Sequence, residues 1–268
     1  MIENIGDLTI NNNSDTCLVF FHGYSETPME YIEFSERFSD LDIDIFIPLL
    51  PHHGVDFIEL SKANAQDIYN WGTKIVEDLG KRYNKIFVSG HSLGAGIAYI
   101  CASNSLDTNG IIMIGPNAYP SIHIRFFSKL NHLFPIKTIR AFHTDLKKSA
   151  YISKEYLKWK KNNFPRLPIG LFIEAMDSLP EYRLDATNID VPVLIIHGAR
   201  DFNTNVKKTQ DFYFNKIKSK IKIFIIVKKT GHAVLISNKM DKIVDEIKKF
   251  IKIVDKNEIQ AISERKDI

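Results

Sequence analysis

The chain has 268 residues, of which 44% are hydrophobic and 25% charged, with a formal net charge of +3. This is the balance of an ordinary globular protein, long enough for one large α/β domain or one domain carrying an insertion. Two cysteines, Cys17 and Cys101, both in apolar surroundings, exclude a disulfide framework and point to buried thiols in a reducing compartment.

No Cys/His cluster has metal-ligand spacing, so neither a metal nor another cofactor is expected. The longest apolar runs, at 221–227 and 191–196, are of strand length and too short to cross a bilayer. Met1 is followed by neither an Arg-rich leader nor an apolar stretch, which predicts a cytoplasmic protein without a signal peptide.

In chain order, alternation at Leu8-Thr9-Ile10 predicts a short edge hairpin within the first fourteen residues. Residues 16–21 form a continuous apolar run, the mark of a strand buried on both faces. Thr27-Pro28-Met29-Glu30 reads as a capping box with proline at the first helical position, opening a helix with Met29, Tyr31, Phe34 and Phe38 near one face. A strand at 43–47 ends in Pro48, and Ser61 is expected to cap a long helix with Ile68, Ile75, Leu79 and Tyr83 at helical spacing. Residues 85–91 form a β-branched and aromatic strand that runs into Gly90-His91-Ser92-Leu93-Gly94 and then an Ala- and Gly-rich helix. Further strands follow at 110–114, 191–197 and 221–227, with a last helix at 238–254. Strands alternating with helices predict an α/β protein with a mostly parallel central sheet flanked by helices and right-handed crossovers. Residues 255–268 are charged and expected to be a flexible tail.

The interval 117–186 breaks this rhythm, with Pro135, Pro165 and Pro168 and two clusters of aromatic and aliphatic residues. It is expected to be a helical cap, or lid, inserted into a core formed by 1–116 and 187–268. Its apolar residues Phe126, Phe127, Phe172 and Met176 are candidates for the substrate pocket. Between Ser121 and Arg166 there are eleven basic residues against two acidic ones. Basic groups interleaved with aromatics suit peripheral contact with an anionic membrane, whereas no nucleic-acid module accompanies the charge and no nucleic-acid partner is expected. Nothing in the sequence decides between monomer and dimer.

Gly-x-Ser-x-Gly between a strand and a helix places Ser92 on a sharp turn whose neighbours must be small. A serine hydroxyl is a weak nucleophile and needs an imidazole to take its proton and a carboxylate to orient that imidazole. His232, in the loop after the last predicted core strand, is the candidate base, and Asp201, in the loop after the preceding strand, is the candidate acid. Both follow strand carboxyl ends, where open α/β sheets bind ligands. The chain order Ser, Asp, His suits this arrangement. His52 and His53 read as rim residues, His91 as packing beside the serine, and His197 as a satisfied core histidine. Asp177, Asp185 and Asp190 lack a strand-end context. A tetrahedral oxyanion needs two N–H donors. The Leu93 amide at a helix N-terminus and the Tyr24 amide after His22-Gly23 are the candidates. His22 and His91 are further candidates for the pocket wall.

These segments together are similar to the α/β-hydrolase-fold serine hydrolases, particularly the bacterial carboxylesterase and monoacylglycerol lipase branch. The resemblance rests on Phe21-His22-Gly23-Tyr24-Ser25-Glu26-Thr27-Pro28, Pro48-Leu49-Leu50-Pro51-His52-His53-Gly54, the elbow, Ala199-Arg200-Asp201 and Gly231-His232-Ala233. It implies ester hydrolysis through an acyl-enzyme on Ser92, with Asp201, His232 and the oxyanion donors Tyr24 and Leu93. The expected substrates are carboxylic esters of apolar acyl groups such as monoacylglycerols, and the basic cap adds lysophospholipids to that expectation. Thioester hydrolysis or acyl transfer by the same triad is the alternative. A non-catalytic binding module on this fold is disfavoured by the intact triad, and dehalogenation by a serine where that chemistry uses aspartate. One departure is Asn203, where the family often carries an apolar residue.

Overall fold

The computed structural model describes residues 5–104, 106–116, 118–141, 143, 149–177, 186–255 and 261–268, without the side chains of Met176 and Asp177. Strands β1 (Leu8–Ile10), β2 (Thr16–Phe21), β3 (Asp44–Ile47), β4 (Lys85–His91), β5 (Gly110–Ile114), β8 (Val193–Gly198), β9 (Ile221–Val227) and β10 (Ile262–Asp267) form one sheet. Its order is β1-β3-β2-β4-β5-β8-β9-β10. All pairings are parallel except β1 with β3, so the carboxyl ends of β2 through β9 share one edge.

The strand sequences are apolar on both faces because the sheet is covered on both faces. Cys17, Val19 and Phe21 of β2 point to a layer containing α3 (Ala65–Gly80) and α4 (Leu93–Ser103). Leu18 and Phe20 point to the opposite layer, where α9 (Met240–Asp255) buries Met240, Ile243, Val244, Ile247, Phe250 and Ile251. Their period-2 alternation assigns each side chain to a layer. Cys17 and Cys101 are both buried and unpaired. No helix among the described residues is long and apolar enough to cross a membrane.

Several local expectations are corrected. Residues 262–267, placed in the flexible tail, instead form β10 and continue the sheet in register with β9, from Ile262 opposite Ile221 to Asp267 opposite Ile226. Ionic contacts of Lys266 with Glu246 and Arg265 with Asp211 accompany the backbone ladder, so the charge of this segment served a sheet edge. Residues 256–260 lie outside the described residues. The β1 segment is not half of a hairpin but pairs with β3. Thr27 makes no capping hydrogen bond, and Pro28–Tyr31 is a 3₁₀ turn leading to the short α1 (Ile32–Glu36). Asp56 caps α2 (Phe57–Leu60) and Asn64 caps α3, with their side chains accepting backbone N–H groups. Ser61 closes α2 and does not open α3.

Between β5 and β8 the described chain forms α5 (Ile122–Leu133), β6 (Thr138–Arg140), α6 (Lys154–Asn163), β7 (Arg166–Pro168) and α7 (Gly170–Asp177). This stretch, expected to be helical, also contains an antiparallel pair, β6 with β7. It is tied to the rest of the protein by a buried polar cluster. Lys160 of α6 is 2% exposed, lies 2.7 Å from Glu30 Oε1, and also donates to the Ser25 carbonyl. The Tyr156 hydroxyl donates to Glu30 Oε1 at 2.7 Å and meets Thr27 Oγ1 at 2.9 Å. A charge pair buried this deeply persists because its remaining hydrogen-bonding capacity is used, and removing one partner would leave the other uncompensated.

Candidate active site

At the end of β4 the chain must turn from strand to helix within one residue. Ser92 does so at φ 53° and ψ −109°, a left-handed conformation that strains any residue with a Cβ. The Ser92 amide donates to the Ile114 carbonyl of the neighbouring strand at 2.8 Å, which fixes the turn to the sheet. A Cβ on Gly94 would stand 1.9 Å from the Phe21 carbonyl oxygen, so α4 approaches β2 closely enough to admit only glycine there.

Ser92 Oγ lies 2.8 Å from His232 Nε2, and His232 Nδ1 lies 2.7 Å from Asp201 Oδ2. A carboxylate only accepts, so Nδ1 carries the proton and Nε2 is free to accept that of the serine. The three residues come from the ends of β4, β8 and β9, joined here into one hydrogen-bonded line. Asp201 is held by two hydrogen bonds, one from His232 and one from the backbone. Its Oδ1 accepts the Asn203 amide at 2.8 Å, and its Oδ2 also lies 3.4 Å from His197 Nδ1. Burial alone would raise the Asp201 carboxyl, but the hydrogen bonds from His232 and the Asn203 amide outweigh burial and hold it below its ordinary value.

Asn203, the departure from the family pattern, gives its backbone amide to Asp201 and lines the cavity beside Ser92. His197 is not the satisfied core histidine that its strand position predicts. Its Nε2 donates to the Pro116 carbonyl at 3.1 Å, leaving the Nδ1 lone pair buried against Asp201 without a hydrogen bond. Burial lowers its pKa to about 4, so it is neutral at pH 7.

Ser92 and His232 open into a cavity that is continuous with solvent and walled chiefly by apolar and aromatic groups. Tyr24 and Leu93, the expected oxyanion donors, line the same space. Leu93 is the first residue of α4, so its N–H has no acceptor within the helix. The rest of the wall includes Tyr69, Tyr99, Leu171, Phe172, Phe212 and Tyr213.

Of the expected pocket residues, Phe172 lines this cavity. Phe126 does not: it is 68% exposed on α5, and Phe127 beside it is half-buried away from the cavity. Met176 falls on a side chain outside those described. His22 and His91 lie behind the wall. His22 Nδ1 donates to the Gly23 carbonyl and its Nε2 accepts the Leu50 amide, tying two loops together, and burial lowers its pKa to about 3. His52 is near the surface against Glu59, and His53 is buried beside His22. Asp190 precedes β8, whereas Asp201 follows it; Asp185 and the Asp177 side chain lie outside the described residues. The aromatic wall from α3, α4 and α8 (Val206–Lys216) escaped the sequence reading because those residues share the helical spacing of core positions.

The fold has solved counterparts. A metagenome-derived lipolytic enzyme of the LipS and LipT pair superposes with a TM-score of 0.77 at 16% identity, covering 94% of this chain and 98% of that one. A soluble variant of the monoglyceride lipase of Saccharomyces cerevisiae, in complex with a substrate analogue, gives 0.71 at 18% identity over 93% and 92%. The monoacylglycerol lipase of Paleococcus ferrophilus gives 0.68 at 17% over 94% and 99%. No curated protein sequence matches the chain. The sequence pattern of one hydrolase family does match, over residues 12–239, which include the elbow, the acid loop and the base loop. The chain belongs to the Hydrolase_4 (serine aminopeptidase, S33) family of α/β-hydrolases.

Proposed function

We propose that the protein hydrolyses carboxylic esters of apolar acyl groups, in the manner of a carboxylesterase or monoacylglycerol lipase, through an acyl-enzyme on Ser92. The observation that carries this reading is the unbroken Ser92–His232–Asp201 line opening into an apolar cavity. His232 takes the serine proton as Oγ attacks the ester carbonyl, and returns it to the departing alkoxide. The Leu93 and Tyr24 amides receive the charge on the carbonyl oxygen. Water then attacks the acyl-enzyme by the same proton path, releasing the acid and restoring Ser92.

The family name includes aminopeptidases, but the cavity wall favours esters. Among its described residues there is no carboxylate to receive a substrate ammonium group. A series of p-nitrophenyl esters of increasing acyl length, run beside an aminoacyl p-nitroanilide, tests the reading. kcat/KM is expected to rise with chain length, because each buried methylene contributes about 0.8 kcal/mol. Preference for the anilide, or for acetate over every longer acyl group, would contradict it. Acyl-CoA substrates in the same series address the thioesterase alternative.

A second reading concerns how substrate arrives, and α5 favours it. Ile122, Phe126, Leu133 and Phe134 at that helix are 68–74% exposed, among exposed Arg125, Lys129 and Lys137, and no acidic residue occurs between 121 and 140. The helix begins beside the cavity, where the Ser121 amide donates to the Asn203 carbonyl. This face suits an anionic lipid surface from which an ester could be drawn. Arg125→Glu with Lys129→Glu is expected to weaken binding to phosphatidylglycerol vesicles about tenfold or more, on the order of 1 kcal/mol per basic residue. Soluble-ester turnover should be unchanged. Equal binding by both proteins would remove the reading.

A further inference from the structure

The turn carrying the Tyr24 amide is bound to the base loop through two side chains that the triad does not use. We propose that Glu26 is a positioning residue for ester hydrolysis, holding the oxyanion turn in register with the loop of His232 through His91. This rests on the reading of Ser92 as nucleophile.

The geometry is convergent. Glu26 Oε2 accepts the Gly23 amide and the Tyr31 hydroxyl, each at 2.5 Å. His91 Nδ1 lies 2.9 Å from Oε1 of the same carboxylate, and His91 Nε2 lies 3.1 Å from the His232 carbonyl oxygen. One carboxylate and one imidazole thus join the loop after β2, the elbow and the loop after β9. Ser25 at φ 58° folds Glu26 back over the turn, and the Glu26 amide donates to the Gly23 carbonyl at 3.1 Å. A Cβ on Gly23 would stand 2.5 Å from the carboxylate, so glycine at this position makes room for Glu26 itself.

The His232 carbonyl and the Glu26 carboxylate have no proton to give, and the Tyr31 hydroxyl, 3.3 Å from His91 Nδ1, gives its own to Glu26 Oε2, so every partner of His91 accepts. To satisfy them, His91 must carry protons on both nitrogens. Burial opposes that charge, but Glu26, the His232 carbonyl and the more distant Asp201 outweigh it and raise the His91 pKa. Glu26 is correspondingly lowered, to about 2, against the pull of its own burial. The other titratable neighbours are Tyr31, which hydrogen-bonds Glu26, neutral His22, the Glu30–Lys160 pair, and the His232 ring 5.0 Å from His91. In the folded protein His91 therefore stays charged above its ordinary pKa. Raising the pH through the elevated value removes one proton and breaks one of its two bonds.

Three proteins separate positioning from simple stability: wild type, Glu26→Ala and Glu26→Gln, each assayed for kcat, KM and the pH dependence of kcat on a soluble ester. Glu26→Ala, which breaks every bond of the brace, is expected to lower kcat by about 10- to 100-fold, somewhat less than outright loss of one oxyanion donor. KM should stay within about threefold if the loss falls on the transition state. Glu26→Gln can still accept from Gly23 and Tyr31 through its oxygen and donate through its NH₂ to a neutral His91. It should recover kcat to within about threefold of wild type at pH 7, since the bonds survive without the charges. It should also lack the alkaline fall in kcat that His91 deprotonation imposes on wild type. Wild-type kcat in Glu26→Ala, or a folded Glu26→Gln as impaired as Glu26→Ala, would overturn the proposal. If Glu26→Ala does not fold, ¹⁵N-histidine spectra of the wild type decide. The alkaline fall in kcat should track loss of the second His91 ring proton, and a flat kcat through that titration would overturn the assignment. Labelling of wild-type Ser92 by a fluorophosphonate tests the underlying reading separately.

Discussion

Ser92→Ala is expected to reduce kcat for ester hydrolysis by about 10⁶-fold and to abolish stoichiometric labelling by a fluorophosphonate. His232→Ala should cost about as much, and the double variant little more than either alone, because nucleophile and base act as one unit. The 2.8 Å contact between Ser92 Oγ and His232 Nε2 is the reason: neither group does its chemistry without the other. The fold should survive both changes. Ser92 owes its place to backbone bonds, from its amide to Ile114 and from Gly96 to its carbonyl, which alanine keeps. The strained φ of 53° is borne equally by alanine. Circular dichroism and thermal melting close to wild type, with turnover absent, are the expected pair of results. A labelled Ser92→Ala protein would place the nucleophile elsewhere.

The parts of this site that the sequence declares are those where backbone geometry restricts residue type. Gly90-His91-Ser92-Leu93-Gly94 is legible because a strand that turns directly into a close-packed helix tolerates only small residues around the nucleophile. Asp201 and His232 are legible because buried parallel strands are apolar throughout, so the polar residues just beyond their ends stand out. What the sequence conceals is set by contacts between distant segments. Glu30 reads as half of a capping box, yet its carboxylate meets Lys160 from α6, a partner 130 positions away. Phe126 and Phe172 have the same chemistry in the same insertion, but only the packing of α7 against the core turns Phe172 to the cavity, while α5 leaves Phe126 outside. The terminal segment looked like a solvated tail because Ser263-Glu264-Arg265-Lys266 alternates no apolar face. An edge strand needs little more than a ladder to its neighbour, and β9 supplied one.

Asp201→Asn is expected to lower kcat by about 10⁴-fold with the fold and KM nearly unchanged, because it locks His232 in the wrong tautomer. The direction in which the new amide must point follows from its three neighbours. The Asn203 amide donates to Oδ1 at 2.8 Å and requires an acceptor there, so the amide oxygen occupies that position. The NH₂ group then takes the place of Oδ2, 2.7 Å from His232 Nδ1 and 3.4 Å from His197 Nδ1. His197 Nδ1 is a buried lone pair without a hydrogen bond, since Nε2 holds the proton for the Pro116 carbonyl. It is therefore ready to accept one hydrogen of the new amide, which reinforces this orientation. The other hydrogen points at His232 Nδ1 and forces it to become an acceptor. The His232 proton moves to Nε2 and faces Ser92 Oγ, where an acceptor is needed. The imidazole keeps its position and loses its function as base. Removing the His197 lone pair as well, in Asp201→Asn with His197→Phe, frees the amide from that reinforcement but not from Asn203, so activity should remain low. Asp201→Asn turnover within about tenfold of wild type would mean that another group orients His232, since a wrong tautomer removes far more than that.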